Sequence, residues 1–254
     1  MARLRIGAFV SGGGSNLQAI MDACASGDLA GDIVFVGSDN EAAYGLERAR
    51  KSGIPTFVTP YARIIEGAKK HPEHIEPPAD FDLQDTLEKQ GFFPESHPRF
   101  KVETFLKIRA LAERDLLDHM AGHPFDLLVL AGFMRTLSPY FIDRVNVDKD
   151  RPRIMNIHPA LLPSFPGVDG YRDTFVYGCK VGGCTVHFID YGEDTGPIIG
   201  QKAFDILPED TLDSVKAKGL ALEWSLFPQC IRLFAENRLV LDRSAKKTVV
   251  TVIP

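Results

Sequence analysis

Thiols are scarce. Of 254 residues only Cys24, Cys179, Cys184 and Cys230 are cysteine, and no two form a C-x-x-C pair. Such spacing argues against a zinc site and reads as reduced, mostly buried thiols in a cytoplasmic protein. No apolar run is long enough to span a bilayer, and the chain runs straight into a strand pattern with no secretory leader ahead of it. A surplus of positive charge is missing too. Thirty-four acidic residues stand against 29 Lys and Arg, a net charge of −5, which argues against a general nucleic-acid surface. There is no internal repeat.

What remains is ordinary globular material, 44% apolar and 25% charged, long enough to bury a full core. Apolar strand patterns at 3–10, 33–38, 54–58, 126–131 and 153–157 alternate with helical patterns at 15–26, 42–52 and 102–121. That order predicts an α/β fold with a doubly wound, mostly parallel sheet and ligands at the strand C-terminal ends. Alternation returns at 183–190 and 197–204 as a hairpin-like addition. A last helix starts at Asp210 or Thr211 and ends near Asn237. Val249–Ile253 reads as an edge strand. We expect a single domain over 1–254 with an insertion at about 60–101, where polar, proline-rich stretches depart from their surroundings. A lid, an oligomer contact and a plain surface insertion all fit that segment. His71, His74 and His97 lie within it and read as solvated histidines rather than metal ligands; no metal is expected.

Two motifs carry chemistry. The first is the glycine turn Ser11–Asn16 between the first strand and first helix. Bare amides at a helix N-terminus attract anions, and glycines let a phosphate approach the backbone. The turn lacks the Gly-Lys-Ser/Thr of a P-loop and the G-x-G-x-x-G of a dinucleotide site. Asp39 is the one candidate ribose acid, but Asn40-Glu41 reads as a helix start. A ligand-free turn is also consistent with the pattern. The second motif is Asn156-Ile157-His158-Pro159, followed by His187 and by Asp194-Thr195-Gly196-Pro197. Asn and His two residues apart at a strand end point the same way. An amide donor, an imidazole and an orienting carboxylate are the parts needed to move an acyl group. No Ser, Cys or Lys there has the setting of a covalent nucleophile, which suggests direct transfer. The competing reading makes Asn156 a loop cap and His158 a core histidine.

Taken together these segments resemble the glycinamide ribonucleotide (phosphoribosylglycinamide) formyltransferases of purine synthesis. The matching stretches are Val10–Ile20, Gly45–Arg50, Leu130–Pro139, Asn156–Pro163, Thr185–Phe188, Asp194–Ile199 and Glu223–Pro228. They run in family order across most of residues 3–240. The resemblance implies a Rossmann-like formyltransferase fold, with 10-formyltetrahydrofolate as co-substrate and the ribonucleotide amine as acceptor. It implies that Asn156 and His158 hold the formyl oxygen while Asp194 keeps His158 charged. Gly14, Ser15 and Asn16 would take the phosphate. Glu223 would assist, more plausibly by accepting a ribose hydroxyl, since a carboxylate repels phosphate. Arg109 matches an arginine near the phosphate, although surface pairing reads the same in sequence. For the folate the resemblance points to Leu130, Met134, Arg135, Leu137, Phe141, Ile154 and the loop Ile189–Asp194. Arg135 would meet the folate glutamate carboxylate. Any one of the apolar residues also reads as plain core.

There are three departures from the family pattern. Leu220 stands one helical turn before Glu223, where a polar or basic phosphate partner is usual, and nearby Lys216, Lys218 or Arg172 are the residues placed to compensate. Asp169 and Tyr171 stand where histidines are frequent, and Ser164 replaces a frequent lysine. The region 60–101 is also longer than usual. A formyltetrahydrofolate hydrolase shares the trio but usually carries an added N-terminal regulatory domain, for which the chain has no room. A methionyl-tRNA formyltransferase is disfavoured by the missing C-terminal RNA-binding domain and by the acidic balance. Small-molecule substrates, no nucleic acid, no membrane, and a monomer or homodimer are therefore expected.

Overall fold

The computed structural model describes residues 3–70, 75–244 and 247–254. In the first strand, β1 (Leu4–Val10), the residues Ile6, Ala8 and Val10 pack to one side and Phe9 to the other, because successive side chains leave a strand on opposite faces. Around it lie β2 (Gly31–Ser38), β3 (Thr56–Val58), β4 (Leu127–Leu130), β5 (Ile154–His158), β6 (Val181–Phe188) and β7 (Ile198–Asp205). They form one seven-stranded sheet in the order β3-β2-β1-β4-β5-β6-β7. The first five pair in parallel and the last two are antiparallel. Strand order reverses between β1 and β4, so the crevice for a ligand opens at the carboxyl ends of β1, β4 and β5.

Both faces of the sheet are covered. On the Ile6 face sit α1 (Ser15–Ser26), α2 (Tyr44–Lys51) and α8 (Leu212–Ala235). On the Phe9 face sit α5 (Arg99–Met120) and α6 (Pro139–Val145). Helix α5 buries Val102, Leu106, Ala110, Glu113, Leu116 and Met120, the three-to-four-residue spacing of one helical stripe. Helix α8 starts with a reciprocal capping box between Thr211 and Ser214, which satisfies two amides that a helix start leaves bare. The short α7 (Gly170–Tyr177) packs Tyr171 against Val215 of α8.

Several boundaries differ from the sequence reading, each for a local reason. Asn40 does not start a helix. Its side chain accepts the Ala42 amide at 3.0 Å, a tight turn that delays α2 to Tyr44. The segment 60–101 contains two helices that the prolines obscured, α3 (Tyr61–Lys70) and α4 (Leu83–Lys89). Asp82 caps α4 by accepting the Asp85 amide at 3.0 Å. Residues 80–91 are docked rather than loose. Asp80 receives Arg144 Nη2 at 2.8 Å, Lys89 lies 2.7 Å from Asp143, and the Gly91 amide donates to the Tyr191 carbonyl at 2.7 Å. His97 stacks on Phe93 with ring centroids 4.8 Å apart; His71 and His74 lie outside the described residues. Val249–Ile253 does not edge the main sheet: β9 (Val249–Val252) pairs antiparallel with β8 (Leu239–Asp242) in a separate two-stranded sheet.

All four cysteines are free; Cys184 and Cys230 are buried, and Cys24 and Cys179 partly so. Burial pushes the Cys24 thiol up to about 11 and those of Cys184 and Cys230 to about 12, so these three are protonated and poor nucleophiles at neutral pH.

The Phe9 ring is fully buried among Phe35, Phe57, Phe133 and Phe141, with centroids 5.1–6.3 Å away. We predict that Phe9→Ala lowers stability by about 3–5 kcal/mol through the cavity it leaves. Urea unfolding measures this, and a change below about 1 kcal/mol would mean that the aromatic cluster does not hold the sheet to α6.

Candidate active site

Strand β5 ends with Asn156 and His158 on one face. Its neighbour β6 runs antiparallel, and their register sets Asn156 directly opposite His187. The Asn156 Nδ2 to His187 Nε2 distance is 3.2 Å. His187 Nδ1 lies 2.9 Å from the Phe188 carbonyl. A carbonyl only accepts, so Nδ1 carries the proton and Nε2 of the neutral ring accepts from Asn156. One amide hydrogen of Asn156 is thus fixed, and the other is left for the cleft.

His158 is almost fully buried and has an acceptor at each ring nitrogen. Nδ1 is 3.2 Å from Asp194 Oδ2, and Nε2 is 2.8 Å from the Phe165 carbonyl. Two acceptors favour the doubly protonated ring. Burial opposes it and is the larger influence, outweighing the Asp194 charge and holding the imidazole below its ordinary value. Asp194 shows the reverse balance. Burial pushes its carboxyl up, but the His158 charge and the Gly167 amide hold it below the usual carboxylate range. The Gly167 amide donates to Asp194 Oδ2 at 2.9 Å, and His187 Nε2 is 3.6 Å from Asp194 Oδ1. The carboxylate is therefore ionised, and its charge faces a histidine ready to take or give a proton.

Two backbone positions here are left-handed, Phe165 (φ 54°) and Asp194 (φ 53°). Asp adopts that region readily, whereas a bulky phenylalanine does so at a cost of about 1–3 kcal/mol. The strained residue is the one whose carbonyl meets His158. Sequence reading missed Phe165 and Gly167 because both act through the main chain. The signal available was the turn-rich run Pro163–Gly167 between β5 and α7.

A cavity of about 160 Å³ opens beside the trio, and its walls include Leu130, Met134, Arg135, Leu137 and Ile189. These are five of the seven residues that the resemblance assigned to the folate. Phe141 and Ile154 do not line it; both are fully buried in the core beneath. Ile154 instead accepts the Ile189 amide at 3.0 Å and fixes where the 189–194 loop starts. Arg135 already has a partner, Asp39 Oδ2 at 2.5 Å. The candidate ribose acid is thus committed to an arginine.

A second cavity of about 380 Å³ adjoins the first and shares Gly132, Met134, Ile157 and Pro159 with it. It holds Gly14, Ser15, Asn16 and Glu223. Gly14 caps α1 in the left-handed region (φ 68°), and a Cβ there would meet the Gly45 Cα at 2.6 Å, so only glycine fits. No side chain caps α1, and the first-turn amides of a helix have no partners within it. Glu223 on α8 joins that helix to α1 and α7. Oε2 accepts from Asn16 Nδ2 and Oε1 from the Tyr171 hydroxyl, both at 2.6 Å. Burial nonetheless pushes its carboxyl above the ordinary value.

Arg109 is not brought to this cavity. It sits on α5 with its guanidinium over the Tyr61 and Phe105 rings, at 5.3 and 4.8 Å from their centroids. Among the described residues no group of three or more His, Cys, Asp or Glu is placed to hold a metal, and no helix is long and apolar enough to cross a membrane. The geometry offers an amide donor, a buried imidazole with an ionised carboxylate, a cleft with apolar and polar walls on one side and a helix N-terminus on the other. It suits transfer of a small acyl group between a flat donor and an anionic acceptor.

Comparison with known proteins agrees with that chemistry. Residues 4–231 match the family described as formyl transferase. The chain is 31% identical to the phosphoribosylglycinamide formyltransferase of Escherichia coli K12 over 95% of its own length and 92% of that protein. It is 32% identical to the trifunctional purine biosynthetic protein adenosine-3 of Chironomus tentans, of which it spans 14%. The solved glycinamide ribonucleotide transformylase 1 of Symbiobacterium toebii superposes with a TM-score of 0.73 at 34% identity, covering 100% of this chain and 95% of that one. A formyltetrahydrofolate deformylase of Pseudomonas syringae shares the fold at 20% identity and a TM-score of 0.70, with 66% of that chain covered. The chain belongs to the formyl transferase family and matches its phosphoribosylglycinamide formyltransferases over nearly their whole length.

Proposed function

We propose that this protein transfers a formyl group from 10-formyltetrahydrofolate to the amine of 5′-phosphoribosylglycinamide. The observation that carries this reading is a pair of adjoining cavities, one holding the Asn156–His158–Asp194 trio and the other built on a bare helix N-terminus. The donor supplies an activated formyl carbon. Leu130, Leu137, Met134 and Ile189 fit a flat ring, and the 189–194 backbone fits its polar edge. Arg135 would reach a folate carboxylate only by sharing or leaving Asp39. In this reading the reaction takes place in the cytoplasm and the chain's own side chains, without a metal, carry the chemistry.

The residue roles follow from charge. As the amine nitrogen bonds to the formyl carbon, negative charge develops on the formyl oxygen. Asn156 meets it with the amide hydrogen that His187 leaves free. His158 meets it with Nε2–H, which must turn from the Phe165 carbonyl or be shared with it. Each such donor contributes about 3 kcal/mol in a dry site. The bond from the formyl carbon to the folate nitrogen then breaks, the amine loses one proton and the folate nitrogen gains one. Asp194 holds His158 in register and stabilises its charged form during that exchange. Hydrolysis is the second reading, and the anion turn and Glu223 favour an amine acceptor over water. Formyl transfer that requires the ribonucleotide, with little formate released in its absence, is the expected result. Rapid formate release unaffected by the ribonucleotide would reject it.

Asp194→Asn keeps the shape and removes the charge. We expect kcat to fall at least ~100-fold with thermal unfolding little changed; near-normal turnover in the purified variant would remove Asp194 from the mechanism.

The same pair sets a titration. Burial places the His158 midpoint below 6.5, and Asp194 pulls it back upward. Loss of the Asp194 charge must therefore lower the midpoint further. NMR titration of His158 should show a wild-type midpoint under 6.5 and a lower one in Asp194→Asn. A higher midpoint in the variant would contradict the assigned electrostatics.

A further inference from the structure

The acceptor-side cavity has an imbalance of charge. A phosphomonoester is close to a dianion at neutral pH, and helix amides supply only about half a unit of positive charge. Yet the wall opposite the glycine turn presents Glu223, an acid, and Leu220, which has no charge at all. Each Glu223 oxygen already accepts one hydrogen bond, from Asn16 and from the Tyr171 hydroxyl. That arrangement depends on residue 219 being glycine, because a Cβ there would lie 2.1 Å from Tyr171 Cζ. Glu223 and Tyr171 thus act as a clamp joining α8 and α7 to the start of α1. The Asn16 side chain is turned by this clamp so that its Oδ1 is buried without a partner among the described residues, although the residue lines the cavity. A buried carbonyl oxygen lacking a donor points to a ligand hydroxyl.

The lining includes one cation among its described residues, Lys216. It lies four residues before Leu220 and seven before Glu223, hence on the same face of α8. Its ammonium is 3.4 Å from Asp169 Oδ1, and both side chains are half-exposed, so this tie is weak. Of the neighbouring cations, Arg172 does not line the cavity, and Lys218 and Arg48 are committed elsewhere. Lys218 donates to Asp210 Oδ2 at 2.5 Å and to the Asp205 carbonyl at 3.2 Å. Arg48 donates to the Gly13 carbonyl at 2.9 Å and to Gln18 Oε1 at 3.0 Å, bracing the turn from α2.

We propose that Lys216, kept beside the cavity by Asp169, is the residue that receives the acceptor's phosphomonoester, while Asn16 Oδ1 accepts a hydroxyl of the attached sugar. This rests on the acceptor reading of the cavity. Lys216 supplies from one turn away the charge that Leu220 lacks, and the half-exposed Asp169 pair yields it to a more highly charged anion.

Calorimetric titration with ribose 5-phosphate tests the proposal. The wild-type protein should bind it, ribose without phosphate should not bind, and affinity should fall with added salt. Lys216→Gln should weaken binding at least ~10-fold, Lys216→Arg should retain most of it, and Lys218→Gln should leave it unchanged. No binding to the wild type, equal binding to Lys216→Gln, or an equal loss in Lys218→Gln would overturn the role of Lys216. Formyl transfer on the same preparations separates the two claims. A raised acceptor KM in Lys216→Gln supports both. An unchanged KM overturns the lysine's role and leaves the acceptor reading standing. Ribose 5-phosphate binding through Lys216 in a protein that formylates no ribonucleotide would keep the phosphate site and discard that acceptor.

Discussion

Asn156 meets His187 because β5 and β6 pair antiparallel in one particular register, after four strands that pair in parallel. A one-residue slip of β6 would turn His187 to the other face and leave the Asn156 amide without its acceptor. The same pairing brings the chain back past the strand end, so that the loop following β6 can lay Asp194 against His158. The last turn of this loop is fixed from three sides. Ile189 donates to Ile154, Gly167 donates to Asp194, and Gly91 from the long segment before α5 donates to Tyr191. Residues 80–91 thus brace the loop that carries the acid, a contact that also enlists Lys89 and Asp143.

The two cavities divide the electrostatic work. On the proposed donor side Asp39 pairs with Arg135, and the buried Glu113 accepts the Ser138 amide and hydroxyl. Burial pushes the Glu113 carboxyl up to about 7. That side is mixed: Leu130, Leu137 and Ile189 offer apolar contact and the 189–194 loop a polar edge, the combination a flat heteroaromatic ligand uses. On the acceptor side the helix amides, the Asn16 carbonyl oxygen and Lys216 remain for a polar ligand. The trio lines the first cavity, where burial outweighs the Asp194 charge and holds His158 below its ordinary value, so the resting ring is largely neutral at neutral pH. A neutral imidazole beside an ionised carboxylate suits a group that takes up a proton during the reaction.

Much of this was legible in the sequence because it rests on periodicity and side chains. The two-residue spacing of Asn156 and His158 at a strand end, the turn between β1 and α1, and the strand–helix alternation all follow from local pattern. Glu223 was legible as a site residue, but its partner Tyr171 read only as a departure. Other features had no such signal. Phe165 and Gly167 contribute main-chain atoms. Phe141 and Ile154 have the residue types of a ring-binding wall, yet the pleat of β5 and the packing of α6 turn them into the core. Arg109 matched by local pattern, and α5 carries it to the aromatic groove beside Tyr61 instead. Helices α3 and α4 were hidden by prolines flanking them, and β8 with β9 close on each other because the main sheet already ends at β7.

The central claim is that the formyl carbon passes directly to the acceptor's amine. It is tested by supplying donor labelled with ¹³C in the formyl group and ribonucleotide labelled with ¹⁵N at the amine, and by following the reaction by ¹³C NMR. Direct transfer predicts a formamide carbon split by one-bond coupling to ¹⁵N, appearing as the donor signal decays and without accumulation of formate. An unsplit formate signal with the ribonucleotide left unmodified would contradict the account.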